Sequence, residues 1–392
     1  MATAKIKKDY FNLATELIDN GRLGLNKGIS LGSFKSKLDN EIYGIQKGTY
    51  YLIGARLKVG KTAFVDDTFV FNAYESYMRN KGTENEFELD IDYWSFEISV
   101  ARKIIKAVTR QIYLDKNLLL NPAYILSKGK HRVSQEHYDI VMDYRKFFEE
   151  LEQILHLRDS GENPTGINKY LYRKAADNGK ILYNEVEYKD ETGVKRVSKE
   201  FSNYIPNNQK RYHFAIFDHA GLTPTERNFT TKQNIDKLSE YIVSNRNKYN
   251  LTCVLIQQFN SWSDEADNAK YRGSAVPTLE SFSGSKYTPR DADVIMALHD
   301  PYSYEDMEYR GFPVNKFKNT IRNLEILRNR DGEPNRHLAF VFNGMPGIFY
   351  ELPSPSYFAS QKVQSSSLAK EWIEYSQNLQ MAIEKAQQNG YY

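Results

Sequence analysis

Apolar and polar positions fall into blocks whose period switches between two and about 3.6, which is the pattern of strands alternating with helices. Tyr50 to Ile53 is a short aromatic and β-branched run of buried-strand type, and Val65, Phe69, Ala73 and Tyr77 then recur every four residues as one face of a helix. Ile91, Tyr93, Trp94 and Phe96 make a second strand that ends on Glu97, and residues 100 to 153 carry a helical pattern. Ile154 to Arg158 reads as a strand, Pro164 to Ala175 as a helix, and Tyr212 to Asp218 as a strand closed by an aspartate. An amphipathic helix follows over Thr231 to Lys248, then an all-apolar strand from Leu251 to Ile256 that runs out into Gln257 and Gln258. Met296 to Leu298, Leu324 to Leu327 and Phe340 to Phe342 predict further strands, the last returning through Asn343-Gly344, while Arg328 to Gly332 reads as a basic turn. This alternation predicts an α/β fold with a mostly parallel central sheet covered by helices on both faces.

Three stretches depart from that rhythm. Tyr10 to Asp19 forms a helical stripe through Tyr10, Leu13, Leu17 and Ile18, ended by Asn20-Gly21; it is either a cap on the same domain or an arm that docks on a neighbouring subunit. Ile181 to Tyr204 alternates apolar and polar residues on both sides of Asp190-Glu191-Thr192-Gly193, a hairpin signature inserted in the α/β domain. From Ser354 onward the chain is polar and helical, as a loose tail would be. The expected organisation is therefore an arm over 1–30, one domain over 31–352 with an insertion at 178–211, and a tail over 353–392.

At 392 residues and 41% hydrophobic content, the chain has ample material for a large core. Its single cysteine, Cys253, lies in an apolar run, which excludes a disulfide framework and points to a reducing compartment. No run approaches the roughly 18 apolar residues of a membrane span and the polar start is not a signal peptide, so the expected location is the cytoplasm, without membrane contact. A net charge of +3 from 53 basic and 50 acidic residues is too small to argue for nucleic acid, so any basic groove must be local. The 29 tyrosines and 21 phenylalanines suit base stacking, but core packing accounts for them equally well.

The chemistry concentrates where the first strand breaks into the first long helix. Ala55, Arg56, Lys58, Val59, Gly60, Lys61, Thr62 and Ala63 would wrap a triphosphate. Gly60 allows close backbone approach, Lys61 supplies a cation, and Thr62 supplies a hydroxyl for Mg²⁺. The strict GxxxxGK[ST] spacing fails by one methyl group, since Ala55 stands at the first glycine position and Gly54 sits one residue early. A lysine-bearing turn between any strand and helix is the plain alternative. Glu97, Asp218 and Gln258 all end strands, where open α/β sheets place ligands. Glu97 there can polarise a water, Asp218 can hold Mg²⁺, and Gln258 can touch the γ-phosphate, although a strand-end glutamate is commonly just solvated.

Taken together, these blocks resemble the ATPase domain of the DnaB-family replicative helicases, which has a RecA-like P-loop fold. The resemblance runs over residues 30 to 352 in order: LDNEIYGIQKGTYYLIGARLKVGKT, YWSFEIS, FAIFDH, VLIQQFN, SFSGSKYTPRDADVIMAL and ILRNRDG. It makes Ala55 an expected departure. It implies ATP and Mg²⁺ as cofactors, Lys61 and Thr62 on triphosphate and metal, Glu97 as general base, Asp218 as the Walker B acid and Gln258 as γ-phosphate sensor. It also implies that Arg328 and Arg330 reach the nucleotide of the next subunit in a homo-oligomer, expected to be a hexameric ring. Single-stranded DNA is the implied partner, met by loops carrying Arg227, Lys270, Arg272, Ser283, Gly284 and Lys286, with a primase or helicase loader as a further one. The implied activity is ATP-dependent unwinding, 5′ to 3′.

Two departures qualify the likeness. Ser281-Phe282 stand where the family has an Arg-Glu pair before Ser-Gly-Ser, and only about 30 residues precede the ATPase blocks, as in a phage-type helicase without the N-terminal helical domain. Two other readings compete: a RecA-like recombinase or loader ATPase that forms filaments on DNA without unwinding, and a non-catalytic P-loop scaffold. A metal hydrolase is disfavoured because the seven histidines show no ligand-like spacing.

Overall fold

The structure is a computed structural model that describes residues 10–128, 131–159, 161–259, 276–282, 285, 287–359 and 367–388. Its strands are β1 (Tyr50–Ala55), β2 (Glu88–Ser95), β3 (Leu155–Arg158), β4 (Gly179–Lys189), β5 (Lys195–Pro206), β6 (Arg211–Asp218), β7 (Thr252–Gln258), β8 (Val294–His299), β9 (Ile321–Asn329), β10 (Arg336–Asn343) and β11 (Ile348–Glu351). Among the described residues, nine of them form one sheet in the order β11-β10-β9-β8-β1-β7-β6-β2-β3. From β8 to β3 the neighbours run parallel, and β9, β10 and β11 are antiparallel additions at one edge.

β1 and β8 are buried along their whole length, as centrally placed strands covered on both faces must be, and this is why they read as apolar runs without alternation. Helix α1 (Tyr10–Arg22) precedes α2 (Ser36–Ile42), and α3 (Lys61–Val65) then passes through a π-helical stretch (Asp66–Phe71) into α4 (Asn72–Asn80). The region read as uniformly helical breaks into α5 (Val100–Lys116), α6 (Pro122–Ile125), α7 (Gln135–Asp143) and α8 (Arg145–Glu152). Pro122 opens α6 behind the Asn121 cap, and the Ser134 hydroxyl caps α7. One face of the sheet packs on Phe64, Val65, Phe69, Ala107 and Leu151. The other face packs on α9 (Pro164–Asp177) and α10 (Thr231–Tyr249) through Ile167, Leu171, Ile235, Leu238 and Ile242. Cys253 lies in this second core, where burial pushes its thiol pKa up, so it serves packing.

Short α11 (Tyr287–Asp291) and α12 (Val314–Phe317) precede β8 and β9, and α13 (Ser367–Gln388) closes the described chain. The C-terminal segment is helical as read, but it is not loose, because Ala369 and Leu379 of α13 join Phe312, Phe317, Val341 and Phe358 in a third core cluster. The inserted hairpin forms β4 and β5 with the expected turn, Tyr183 facing Tyr172 across 3.1 Å between hydroxyls and Phe201 and Tyr204 packing edge-on against Tyr249. A second correction concerns the basic turn. Arg328 and Asn329 belong to β9, and the chain turns only after them.

Candidate nucleotide and metal site

The carboxyl ends of the parallel strands gather the predicted residues. β1 stops at Ala55, and the loop to α3 turns through two left-handed positions, Lys58 at φ 63° and Gly60 at φ 108°. Gly60 meets that need without strain, and a Cβ there would stand 3.1 Å from the Phe342 ring. Gly54 has a different task from the phosphate role its position suggests. A Cβ on it would come within 2.3 Å of both Phe259 and Phe282, so this glycine allows the opposite face of β1 to close on two aromatic rings.

Lys61 begins α3 and is 6% exposed; burial pulls its pKa down, against the pull of Glu97 and Asp218. The Thr62 hydroxyl donates to Asp218 Oδ1 at 3.1 Å, which joins the P-loop helix to the end of β6. Asp218 is fully buried, and its Oδ2 accepts a hydrogen bond from the Tyr93 hydroxyl at 3.1 Å. Lys103 of α5 stands behind it, 3.5 Å from Oδ2, with Asp66 at 2.9 Å and the Tyr93 hydroxyl at 2.6 Å. Glu97 lies two residues beyond β2, exposed, and it acts electrostatically on both Lys61 and His219. His219 is held neutral-leaning by burial first and by Lys61 second, and its Nδ1 accepts from the Gly221 amide at 3.2 Å. Gln258 ends β7 in register beside Ala55, whereas its neighbour Gln257 turns inward to Thr288 and the Phe282 carbonyl.

A hydroxyl and a carboxylate oxygen 3.1 Å apart at the head of a helix form an all-oxygen donor set, which suits a hard divalent cation such as Mg²⁺. Lys61 and the first amides of a continuous helical run over 61–80 suit phosphate. The loop is braced from outside. Arg56 lies over the Tyr304 ring, 5.0 Å from its centroid, and Ala63 follows Thr62 in the first turn.

Sequence reasoning missed Tyr93, Lys103, Asp66 and Arg322. Arg322, inside β9 and 4% exposed, donates to the Val59 carbonyl at 2.9 Å and faces Asp300 at 3.4 Å, so it anchors the loop from a strand 263 residues along the chain. The available signal was charge in apolar company: Arg322 interrupts a buried run, and Lys103, Ala107 and Arg110 share one stripe of α5 at i, i+4 and i+7.

Arg328 and Arg330 lie at the opposite end of the sheet. Arg328 donates to the carbonyls of Pro289 and Arg290, at 2.6 and 3.1 Å, and Arg330 pairs with Asp293 at 2.8 Å. The other Asp293 oxygen accepts from the amide of Tyr50, the first residue of β1, so about 20 Å of strand separates this pair from the chain's own Lys61. Arg227 is exposed on the loop after β6, whose Glu226 carboxylate accepts from the Thr165 amide at 2.9 Å. Lys270, Arg272, Ser283, Gly284 and Lys286 lie outside the described residues. Elsewhere, Asp90, Asp92 and His213 cluster closely enough for a metal, but the Lys174 ammonium already bridges the two carboxylates at 2.6 Å each.

Comparison with solved structures finds the same architecture. The chain is similar to a free-standing ATPase domain at TM-score 0.60 and 17% identity, covering 88% of this chain and 100% of that one. It is similar to a DnaB-like replicative helicase, described together with its interactions with primase, at TM-score 0.58 and 17% identity, covering 88% of this chain and 68% of the other. No family model matches the sequence, and no curated protein does. The likeness establishes the fold, a RecA-like α/β domain of the type found in DnaB-like helicases.

Proposed function

We propose that this chain, with the ATPase-domain fold of the DnaB-like replicative helicases, is an ATP-driven DNA helicase that moves 5′ to 3′ on single-stranded DNA as a ring-shaped homo-oligomer, expected to be a hexamer. The observation that carries the reading is the separation of two charge sets: Lys61, Thr62, Asp218 and Glu97 at one end of the sheet, Arg328 and Arg330 at the other. A P-loop site whose own arginines sit a strand length away suits completion by a neighbouring copy.

In this account Lys61 and the loop amides hold the β and γ phosphates, and Thr62 and Asp218 hold Mg²⁺, which when bound draws negative charge from the phosphate oxygens. Glu97, exposed and facing Lys61, takes the proton of the attacking water, and Gln258 senses the γ-phosphate. Arg328 and Arg330 of one subunit stabilise charge developing in the next. Helix α1 suits an intersubunit arm, with Phe11, Leu17 and Ile18 exposed. A groove of about 510 Å³ lined by Phe34, Met78, Leu114, Phe147 and Tyr350 suits its reception. DNA affinity would come mainly from phosphate contacts, with Arg227, Lys270, Arg272, Ser283, Gly284 and Lys286 as candidates, and would fall with salt. A primase or helicase loader is the expected protein partner, and the cytoplasm the expected location.

The test is strand displacement on forked duplexes bearing a single 5′ or 3′ tail. The reading expects ATP-dependent displacement from the 5′-tailed fork, absent in Lys61→Ala. Hydrolysis without displacement from either fork would favour a filament-forming ATPase instead, and displacement only from the 3′ tail would reverse the polarity.

A further inference from the structure

The Asp218 carboxylate is held asymmetrically. Oδ1 meets the Thr62 hydroxyl, whereas Oδ2 is taken by the Tyr93 hydroxyl and faced by the Lys103 ammonium. Lys103 distributes its three protons among Asp66, the Tyr93 oxygen and Asp218, its side chain 5% exposed, with the Tyr93 ring 4.0 Å away. The four groups come from different elements: Asp66 from the P-loop helix run, Tyr93 from β2, Lys103 from α5 and Asp218 from β6. Those elements also carry Thr62 and Asp218, and Glu97 sits in the short link between β2 and α5. A carboxylate gripped on one oxygen cannot rotate, so the other oxygen stays aimed at the P-loop hydroxyl.

We propose that Lys103, acting with Tyr93, is a positioning residue that fixes the Asp218 carboxylate with one oxygen presented to the nucleotide's divalent metal. The proposal rests on the nucleotide-site reading above. Lys103 touches neither nucleotide nor metal; it sets the orientation of a group that does. The competing view is that Lys103 merely balances two buried carboxylates, and that view predicts lost stability with an unchanged response to metal.

The experiment is equilibrium binding of a fluorescent non-hydrolysable ATP analogue to the full chain over a Mg²⁺ series and in EDTA. It compares wild type with Lys103→Met, Lys103→Arg and Tyr93→Phe, with melting curves for each. We expect Lys103→Met to keep its affinity in EDTA within about twofold while the Mg²⁺ midpoint rises roughly tenfold or more, as loss of an outer partner of a metal ligand does. Lys103→Arg restores most of the midpoint. Tyr93→Phe removes one hydroxyl and little volume, and it raises the midpoint in the same direction. A folded Lys103→Met or Tyr93→Phe protein with the wild-type midpoint overturns the proposal, and Tyr93→Phe decides the matter should Lys103→Met not fold. Wild type that fails to bind the analogue with Mg²⁺ overturns the nucleotide-site reading itself, a result distinct from variants that match a binding wild type.

Discussion

Glu97 and Asp218 are both carboxylates at strand ends, yet their surroundings assign them different work. Asp218 is sealed among Thr62, Tyr93 and Lys103, where a fixed anion can hold a cation; Glu97 is exposed, where a base can meet water. Glu97→Gln should therefore lower hydrolysis by roughly 10² to 10⁴-fold and leave equilibrium nucleotide binding close to wild type. Turnover and binding assays on one preparation would check this, and an unchanged turnover would remove Glu97 from the role. Gly60, Lys61 and Thr62 were legible because their chemistry is local, three consecutive residues between a strand and a helix. Arg322 was not, because its use depends on a fold that brings it to the Val59 carbonyl. Gly54 was misassigned for a related reason, since only the packed structure shows the Phe259 and Phe282 rings closing over it.

At the scale of elements, the P-loop helix is the most informative. Its apolar residues recur at intervals of four, and the structure gives the reason, a π-helical stretch over Asp66–Phe71 in which wider turns keep positions four apart aligned. The same stretch sends neighbouring carboxylates to different partners, Asp66 to Lys103 and Asp67 to Lys35 and Arg110. Burial would raise the Asp67 pKa, but the charges of Lys35 and Arg110 win and hold it below the usual range. Asp67→Asn leaves two cations buried beside a neutral amide and should cost about 3–5 kcal/mol, read by denaturant unfolding. On β2, burial pushes the Asp92 carboxyl up, and His213 and Lys174 more than reverse this, to about 2. A carboxyl with a folded pKa below its unfolded value of about 3.9 contributes stability in full above that pH and loses it as pH falls toward 2. Melting temperature should accordingly drop across that window, and Asp92→Asn should flatten the drop. A slope unchanged in Asp92→Asn would contradict the assignment.

For the whole molecule, strand–helix alternation announced a mostly parallel sheet with antiparallel strands at its end, and that is the sheet observed. The order of strands was not legible, because neighbours such as β1 and β8 are separated by most of the chain. That order decides function, since it places β9 antiparallel to β8 and carries Arg328 and Arg330 to the far end from Lys61. If those arginines serve a neighbour, Arg330→Ala and Glu97→Ala should each be nearly inactive alone, while a mixture should regain part of the activity at interfaces pairing an intact Glu97 with an intact Arg330. A mixture as inactive as its components would place the finger elsewhere.

The central claim is that the P-loop edge hydrolyses ATP in response to DNA. The most direct measurement is steady-state ATP hydrolysis with and without single-stranded DNA for wild type and Glu97→Ala. The account predicts hydrolysis that DNA stimulates and the substitution abolishes. Hydrolysis that is absent, indifferent to DNA or unchanged by Glu97→Ala would contradict it.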